Sequence, residues 1–155
     1  MFGIFKKPLY IKAPVGGEVV DLSSVPDEVF ANKLAGDGVA MIPTDGEFLS
    51  PIDGIIIKIF DTNHAYIVRN DNGIEVMVHI GLDTVSLNSK GFERIAQQGD
   101  TIKAGEVVIK VDLEYIKTNA TDIITPIVIS DDASYKSLEK FYGEMKPLQN
   151  IMEMR

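Results

Sequence analysis

The chain of 155 residues has a formal net charge of −8, and 45% of its residues are hydrophobic. This apolar fraction is enough to bury the core of one domain, which we expect to span residues 1–155. The acidic balance argues against a protein that binds nucleic-acid phosphates. The lack of cysteine excludes disulfides, thiolate metal sites and a cysteine nucleophile.

The first ten residues combine apolar side chains with two lysines. No apolar run long enough for a signal peptide or a membrane span occurs in the sequence, so we expect a soluble, cytoplasmic protein. The segment could touch a membrane surface, but a flexible tail over residues 1–10, or one packed on its own domain, is the favoured interpretation.

Most apolar segments are short, rich in β-branched residues and bounded by glycine or proline. Such segments, separated by Asp-Gly and Asn-Gly turns, are typical of an antiparallel sandwich or barrel. The sequence therefore predicts an all-β protein. The predicted strands lie at 17–22, 38–43, 54–60, 65–70, 74–80, 106–111, 126–130 and 150–154.

Two short helices are also predicted at the periphery. The first covers 27–34, entered through Pro26 and stopped before Gly36. The second covers 113–120, with Asp112 as its N-cap. Neither carries a long apolar stripe.

Two segments repeat the same pattern of turn and strand. Pro14 precedes Gly17 by three residues, Pro51 precedes Gly54 by three residues, and a β-branched strand follows each glycine. The pattern is consistent with an internal duplication, although this proline–glycine spacing is also common in loops.

The only two histidines, His64 and His79, flank a turn-forming segment at 70–73. Asn, Asp and Gly tolerate the backbone of tight hairpins, so the flanking strands are predicted to pair. A two-residue loop at 71–72 places the histidines opposite each other, and one at 72–73 makes them diagonal neighbours on one face. A three-residue loop would send them to opposite faces. We expect one of the first two arrangements.

Strand alternation predicts that His79 faces away from the core, in the row of Glu75, Met77 and Gly81. The other row is made only of isoleucine and valine and is the expected core face. Gly81, which has no side chain, is expected to leave open space beyond the imidazole.

Near neutral pH an imidazole has one lone pair and one N–H, so one ring can attack while its neighbour donates a hydrogen bond to the incoming group. A metal site is a weaker alternative, because two histidines need at least one further ligand. Asp61 and Asp83 are nearby in sequence, but no His-x-His or His-x-x-x-His spacing occurs. Ser-His-Asp hydrolysis is weaker still, since no Gly-x-Ser-x-Gly segment is present.

Several strings carry a family resemblance in the same order along the chain. FDTNHAYIV and GIEVMVHIGLDTV contain the histidines, and VPDEVFANKLAGDGVAMIP, SPIDGIIIKIFDTNHA and GFERIAQQGDTIKAGEVVIKVD surround them. Over roughly residues 10–130 they resemble the glucose-family enzyme IIA component of the bacterial phosphoenolpyruvate-dependent sugar phosphotransferase system. GEMKPLQNIMEM resembles the end of that family more loosely.

The resemblance implies a duplicated β-sandwich that relays a phosphoryl group from the histidine carrier protein HPr to a cysteine on the IIB domain of a sugar permease. In that relay His79 accepts the phosphoryl group, His64 donates a hydrogen bond to its oxygens, and Thr62 orients His64. No cofactor is expected.

The resemblance also implies an apolar surface with an acidic edge that receives a basic face of HPr. The matching residues are Val29, Phe30, Leu34, Phe60 and Met77 for the apolar part, with Asp27 and Asp83 for the edge. The first three fit the buried face of a short helix equally well. Glu28 departs from the family, which often has an apolar residue there.

The alternative function is a regulatory module that docks metabolic enzymes or transporters according to its phosphorylation state. In relatives with such a role, a partner carboxylate can complete a zinc site with the two histidines, here His64 and His79. A metal-dependent hydrolase is disfavoured by the absent His-x-His spacing.

Overall fold

The computed structural model describes residues 7–155. Its strands are β1 (Leu9–Lys12), β2 (Gly17–Asp21), β3 (Asp37–Pro43), β4 (Glu47–Leu49), β5 (Gly54–Ile59), β6 (Ala65–Arg69), β7 (Glu75–His79), β8 (Phe92–Arg94), β9 (Thr101–Ile102), β10 (Val107–Val111), β11 (Thr125–Ile129), β12 (Leu138–Lys140), β13 (Gly143–Met145) and β14 (Asn150–Met154). Among these residues, one sheet has the strand order β13-β2-β3-β11-β7-β6-β5-β9, and two smaller sheets have the orders β1-β14-β12 and β4-β10-β8. Neighbouring strands pair antiparallel.

The all-β prediction is confirmed, and each of the eight apolar segments contains a strand. The strands that were not predicted are β1, β4, β8, β9, β12 and β13, which have two to four residues each. Segments this short give too few alternations to be recognised, and their edge positions are set by tertiary pairing.

The helices are α1 (Glu28–Ala31) and α2 (Leu113–Asn119). As predicted, Asp112 caps α2, and its side chain accepts a hydrogen bond from Tyr115 N. The first helix is shorter than predicted: it ends at Ala31 and is capped by Asn32, because the next residue, Lys33, takes a left-handed conformation with φ of 60°. A residue in that conformation ends an α-helix.

The core lies between the sheets and includes the inward row of β7. Val76 and Val78 are completely buried, as is Tyr66 on the neighbouring strand β6. Tyr66 satisfies its hydroxyl by donating to Leu49 O at 2.6 Å. A second buried cluster, beneath α1, includes Phe30, Leu82 and Val128. The inward side chains of β6 and β7 are therefore packed in the core.

The repeated proline segments meet in the structure. Lys12 N donates to Pro51 O at 2.9 Å, and Leu49 N donates to Pro14 O at 2.7 Å, which is the same bond with the two segments exchanged. β2 and β5 then each begin at the glycine of the repeat. This reciprocal pairing favours an internal duplication over the alternative of common loop chemistry.

Residues 1–6, which make up most of the expected N-terminal tail, lie outside the described residues. Within the remainder of that segment, Leu9 and Tyr10 belong to β1 and pair with Met154 and Glu153 of β14, so the chain is already in a sheet at residue 9. In the described part of the chain, neither helix has the length and apolar character needed to span a membrane.

Candidate functional site

His79 is the last residue of β7 and faces away from the core, as predicted. Its ring is half-buried, with the ring of Phe30 5.0 Å away between centroids. The Nδ1 atom lies 2.9 Å from Gly81 O. A carbonyl can only accept, so Nδ1 carries the proton and donates, and in the neutral ring Nε2 carries the lone pair.

His64 stands just before β6 and is only 6% exposed. Oγ1 of Thr62 lies 2.5 Å from its Nδ1 atom, which is the contact that the family resemblance implies. The edge of the ring meets Phe60, with a centroid distance of 5.4 Å. The ring is thus held on one side by a hydroxyl and on another by an aromatic surface.

The two imidazoles meet edge to face, with centroids 5.0 Å apart and planes at 79°. The predicted hairpin register was wrong, however. Ala65 pairs with His79, and His64 O accepts from Ile80 N at 2.7 Å, so the loop has three residues. Alternation then gives the histidines different faces, but Asn63 has φ of 61° and His64 precedes the regular strand. The alternation rule does not extend into that turn, which is why the rings still converge.

The Nε2 atoms of the two rings have no hydrogen-bond partner among the described residues. In the described residues each ring uses Nδ1 for its protein contact, and no hydrogen bond involves either Nε2. The same residues contain no buried side-chain nitrogen or oxygen that lacks a partner. Since neither Nε2 atom has a partner among the described residues, neither is fully buried.

Both histidines are neutral at neutral pH. Burial, with a smaller contribution from the neighbouring His79, lowers the pKa of His64 to about 4. Burial also lowers the pKa of His79, against the opposing effects of the Gly81 carbonyl and the Asp27 carboxylate. A neutral ring keeps the lone pair that nucleophilic attack requires.

Gly81 does not leave open space, contrary to the expectation from its missing side chain. It has φ of 71°, and a Cβ there would lie 2.9 Å from Asp122 O and 2.8 Å from Cγ2 of Thr84. Glycine is needed because the chain turns sharply and packs closely at this point. The turn also aims the Gly81 carbonyl at Nδ1 of His79.

We expect Gly81→Ala to lower the free energy of unfolding by about 2–4 kcal/mol, because a left-handed backbone and a steric clash combine. Gly73→Ala is the matched control, since Gly73 has φ of 82° and nothing within 4 Å of a built Cβ. Gly73→Ala should lower the free energy of unfolding by only about 1–2 kcal/mol, the cost of the left-handed backbone without a steric clash. Guanidinium chloride unfolding measures both, and equal losses would contradict the packing role of Gly81.

The predicted partner surface is divided between core and solvent. Phe30 is buried against the second cluster, while Val29 and Leu34 on either side of it are 49% and 66% exposed. Phe60 and Met77 are half-buried. The exposed apolar residues lie on the α1 side of His79 and form a rim that a partner could cover.

The two predicted acidic residues have local structural roles as well. Asp27 is the N-cap of α1, and its side chain accepts from Val29 N at 2.9 Å. Asp83 is exposed, with φ of 58°, and its carboxylate accepts from Oγ1 of Thr121. Both carboxylates therefore have fixed positions near the histidine-bearing segments.

Sequence reasoning missed the residues that hold the loop after His79. Oγ1 of Thr84 donates to Ile80 O at 2.6 Å, and Leu82 N donates to Asp122 O at 2.9 Å. It also missed Val85, an apolar side chain that is 54% exposed next to this loop. The contact of Asp122 with Leu82 is distant in sequence, whereas Thr84 bonds to a residue four positions earlier and Val85 is the last residue of the recognised string GIEVMVHIGLDTV.

Among residues 7–155, no group of three or more His, Cys, Asp or Glu side chains is arranged to hold a metal ion. Asp61 and Asp83, the carboxylates considered with the histidines, do not complete such a group. Two imidazoles alone are short of the three protein ligands of a catalytic zinc site.

The family model that describes the EIIA 1 component of the phosphoenolpyruvate-dependent sugar phosphotransferase system matches residues 9–135. The chain is 46% identical over 144 residues to the glucose-specific EIIA component of Borreliella burgdorferi, covering 92% of this chain and 76% of the relative. It is 44% identical over 142 residues to the glucose-specific EIIA component of Haemophilus influenzae, covering 92% and 86%.

A longer relative is the N-acetylglucosamine-specific EIICBA component of Escherichia coli, which is 45% identical over 126 residues. The match covers 81% of this chain but only 19% of that protein. Among solved structures, glucose permease IIA from Mycoplasma capricolum superimposes with a TM-score of 0.91 at 32% identity, covering 98% of this chain and 99% of that one.

Proposed function

Because this chain belongs to the EIIA 1 family, it is a phosphoryl-transfer component of a sugar phosphotransferase system, and we propose that His79 is the residue that carries the phosphoryl group. The observation that supports this assignment most directly is the hydrogen bond from Nδ1 of His79 to Gly81 O. It fixes the proton on Nδ1 and leaves a nucleophilic lone pair on Nε2, which is open to an incoming group.

In the proposed first step, Nε2 of His79 attacks the phosphorus of phospho-HPr. The new P–N bond forms as the bond to the HPr histidine breaks, and the electron pair of that bond returns to the HPr ring. In the second step a cysteine thiolate of a IIB domain attacks the same phosphorus, and His79 regains its lone pair. Neither step requires a metal or another cofactor.

His64 is proposed to stabilise the phosphoryl group during both transfers. Since the ring is neutral, it has a single N–H. If the Thr62 hydroxyl donates to Nδ1, the proton lies on Nε2 and can be donated to a phosphoryl oxygen. Charge on these oxygens is stabilised by donors that are already in place, which is the main source of catalysis in phosphoryl transfer.

The test of this assignment is the position of the phosphate on the protein. We expect incubation with phosphoenolpyruvate, enzyme I and HPr to produce one acid-labile phosphate, attached to Nε2 of His79. Phosphorus and nitrogen NMR of protein labelled with ¹⁵N in histidine distinguishes Nε2 from Nδ1. Attachment at Nδ1 would contradict the proton assignment derived from the Gly81 contact.

The proposed partners are HPr as donor and a IIB domain as acceptor. The matched segment of the E. coli relative belongs to a longer chain named EIICBA, which supports a IIB partner. The docking surface would be the rim formed by Val29 and Leu34 together with the exposed Val85, and Asp27 and Asp83 would be its acidic edge. A negative edge and the net charge of −8 favour a basic donor. The cytoplasmic location and the regulatory docking role remain predictions.

We expect Leu34→Lys to lower the rate of phosphorylation by HPr about tenfold or more, since a charge would replace an apolar contact and repel a basic partner. The fold should tolerate it, because Leu34 is 66% exposed. Ile55→Lys is the matched control: Ile55 is 48% exposed and pairs with Arg69, at the end of β6 distant from His64. Equal slowing by both variants would exclude the rim as the docking surface.

A further inference from the structure

Arg94 lies on β8, in a different sheet from the histidines, yet its guanidinium reaches the turn that precedes His64. Nε of Arg94 donates to Oδ1 of Asn63 at 2.7 Å, and Nη2 donates to Phe60 O at 3.2 Å. Two nitrogens of one planar group thus bind two points of one turn, which fixes its position and its direction.

The turn needs such support because of its backbone conformation. Asn63 N donates to Phe60 O at 2.7 Å, and Asn63 has φ of 61°. A left-handed conformation costs a residue with a Cβ roughly 1–2 kcal/mol, although asparagine tolerates it better than most. His64 follows directly, so the direction of its ring depends on this turn being maintained.

The same network contacts the segment that follows His79. Nδ2 of Asn63 donates to Oγ of Ser89 at 3.3 Å, and Ser89 comes shortly after the 3-10 turn Thr84–Leu87. Asn63 therefore links the segments before one histidine and after the other. Arg94 holds the amide of Asn63 in the orientation that this link requires.

Arg94 has no carboxylate partner among residues 7–155, where the ion pairs involve other basic residues. Its side-chain hydrogen bonds in this part of the chain go to the oxygens of the 60–63 turn. A half-buried arginine used in this way supports the turn and does not balance charge.

We infer that Arg94 is a positioning residue: its guanidinium holds the turn at Phe60 and Asn63 and thereby orients the His64 ring toward His79. The consequence for phosphoryl transfer rests on the proposed function of the histidine pair. A small displacement of a donor in a transfer site can cost up to about 10²-fold in rate.

The test is Arg94→Met, which keeps much of the apolar stem and removes the donors. We expect the ¹⁵N signals of the His64 ring to change from a single Nε2–H tautomer to a mixture, because the Thr62 contact is no longer maintained. Transfer from the phosphorylated protein to IIB should slow about tenfold or more. Phosphorylation of His79 at equilibrium should be retained, which also shows that the variant is folded.

Three further variants complete the experiment. Arg94→Lys, which can reach only one of the two oxygens, should give an intermediate result. Asn63→Gly keeps the left-handed turn accessible, removes the acceptor of Nε, and should reproduce the His64 signals of Arg94→Met. Arg69→Met is the control, because Arg69 pairs with Glu75 at the other end of the same hairpin. It should leave both measurements at the wild-type values.

The two measurements separate this inference from the proposed function. Unchanged His64 signals in Arg94→Met would overturn the inference, even if transfer slowed. Changed signals with normal transfer would support the positioning role of Arg94 and contradict the donor role of His64. Changed signals together with slow transfer would support both.

Discussion

His79→Gln is expected to eliminate acid-labile phosphorylation, with a loss of more than about 10⁴-fold, as is usual when a nucleophile is removed. Glutamine is similar in size, but the lone pair of its amide nitrogen is delocalised and does not attack phosphorus. The measurement is transfer of ³²P from phosphoenolpyruvate through enzyme I and HPr to this protein, stopped at several times.

The variant should fold normally, because His79 is half-buried at the end of its strand and its only side-chain bond among the described residues is to Gly81 O. An unchanged thermal unfolding midpoint would establish this. Persistent label on His79→Gln would contradict the assignment of the acceptor. Label that is lost from His64→Gln but kept by His79→Gln would show that the two roles are reversed.

The strands that form the core could be predicted because the order of apolar and polar residues along them follows directly from which side chains are buried. β7 alternates between buried and half-buried residues, and β11 is buried throughout. Such patterns can be recognised in the sequence without knowing which strands pair with each other. The resemblance of the histidine strings then identified the chemistry, and the family comparison confirmed it.

The register of the histidine hairpin could not be predicted, because the turn sequence is compatible with several loops. Oδ1 of Asn70 accepts hydrogen bonds from both Asn72 N and Ile74 N, which stabilises the three-residue loop. The loop length therefore depends on the orientation of the Asn70 side chain, which the sequence does not show. The approach of the two rings was predicted from a two-residue loop, so the correct outcome followed from an incorrect register.

The sequence also did not predict which apolar residues of the partner surface are buried and which are exposed. Val29, Phe30 and Leu34 are all apolar and close in sequence, yet only Phe30 is buried. The left-handed residue Lys33 ends α1 early and turns Leu34 outward, which helix periodicity does not foresee. Arg94 was missed for a related reason, since its contacts lie more than 30 residues away along the chain.

His64→Gln is expected to separate the two halves of the relay. The nucleophile is intact, so the protein should still take up phosphate to the wild-type level at equilibrium. Transfer onward to IIB should be about 10²–10³-fold slower, the usual cost of removing one positioned donor. Glutamine retains an N–H, but it has more rotatable bonds than histidine and no ring for Thr62 and Phe60 to hold in place.

Thr62→Val sharpens this expectation, because it preserves the shape of the side chain and removes only the hydroxyl that contacts Nδ1 of His64. The ring can then adopt either tautomer, and only the one with Nε2–H stabilises the phosphoryl oxygens. The expected loss is about tenfold, smaller than for His64→Gln. Single-turnover transfer from phosphorylated protein to IIB measures both variants. Transfer at the wild-type rate by His64→Gln would contradict the donor role, and a normal rate in Thr62→Val alone would show that the tautomer is fixed without the hydroxyl.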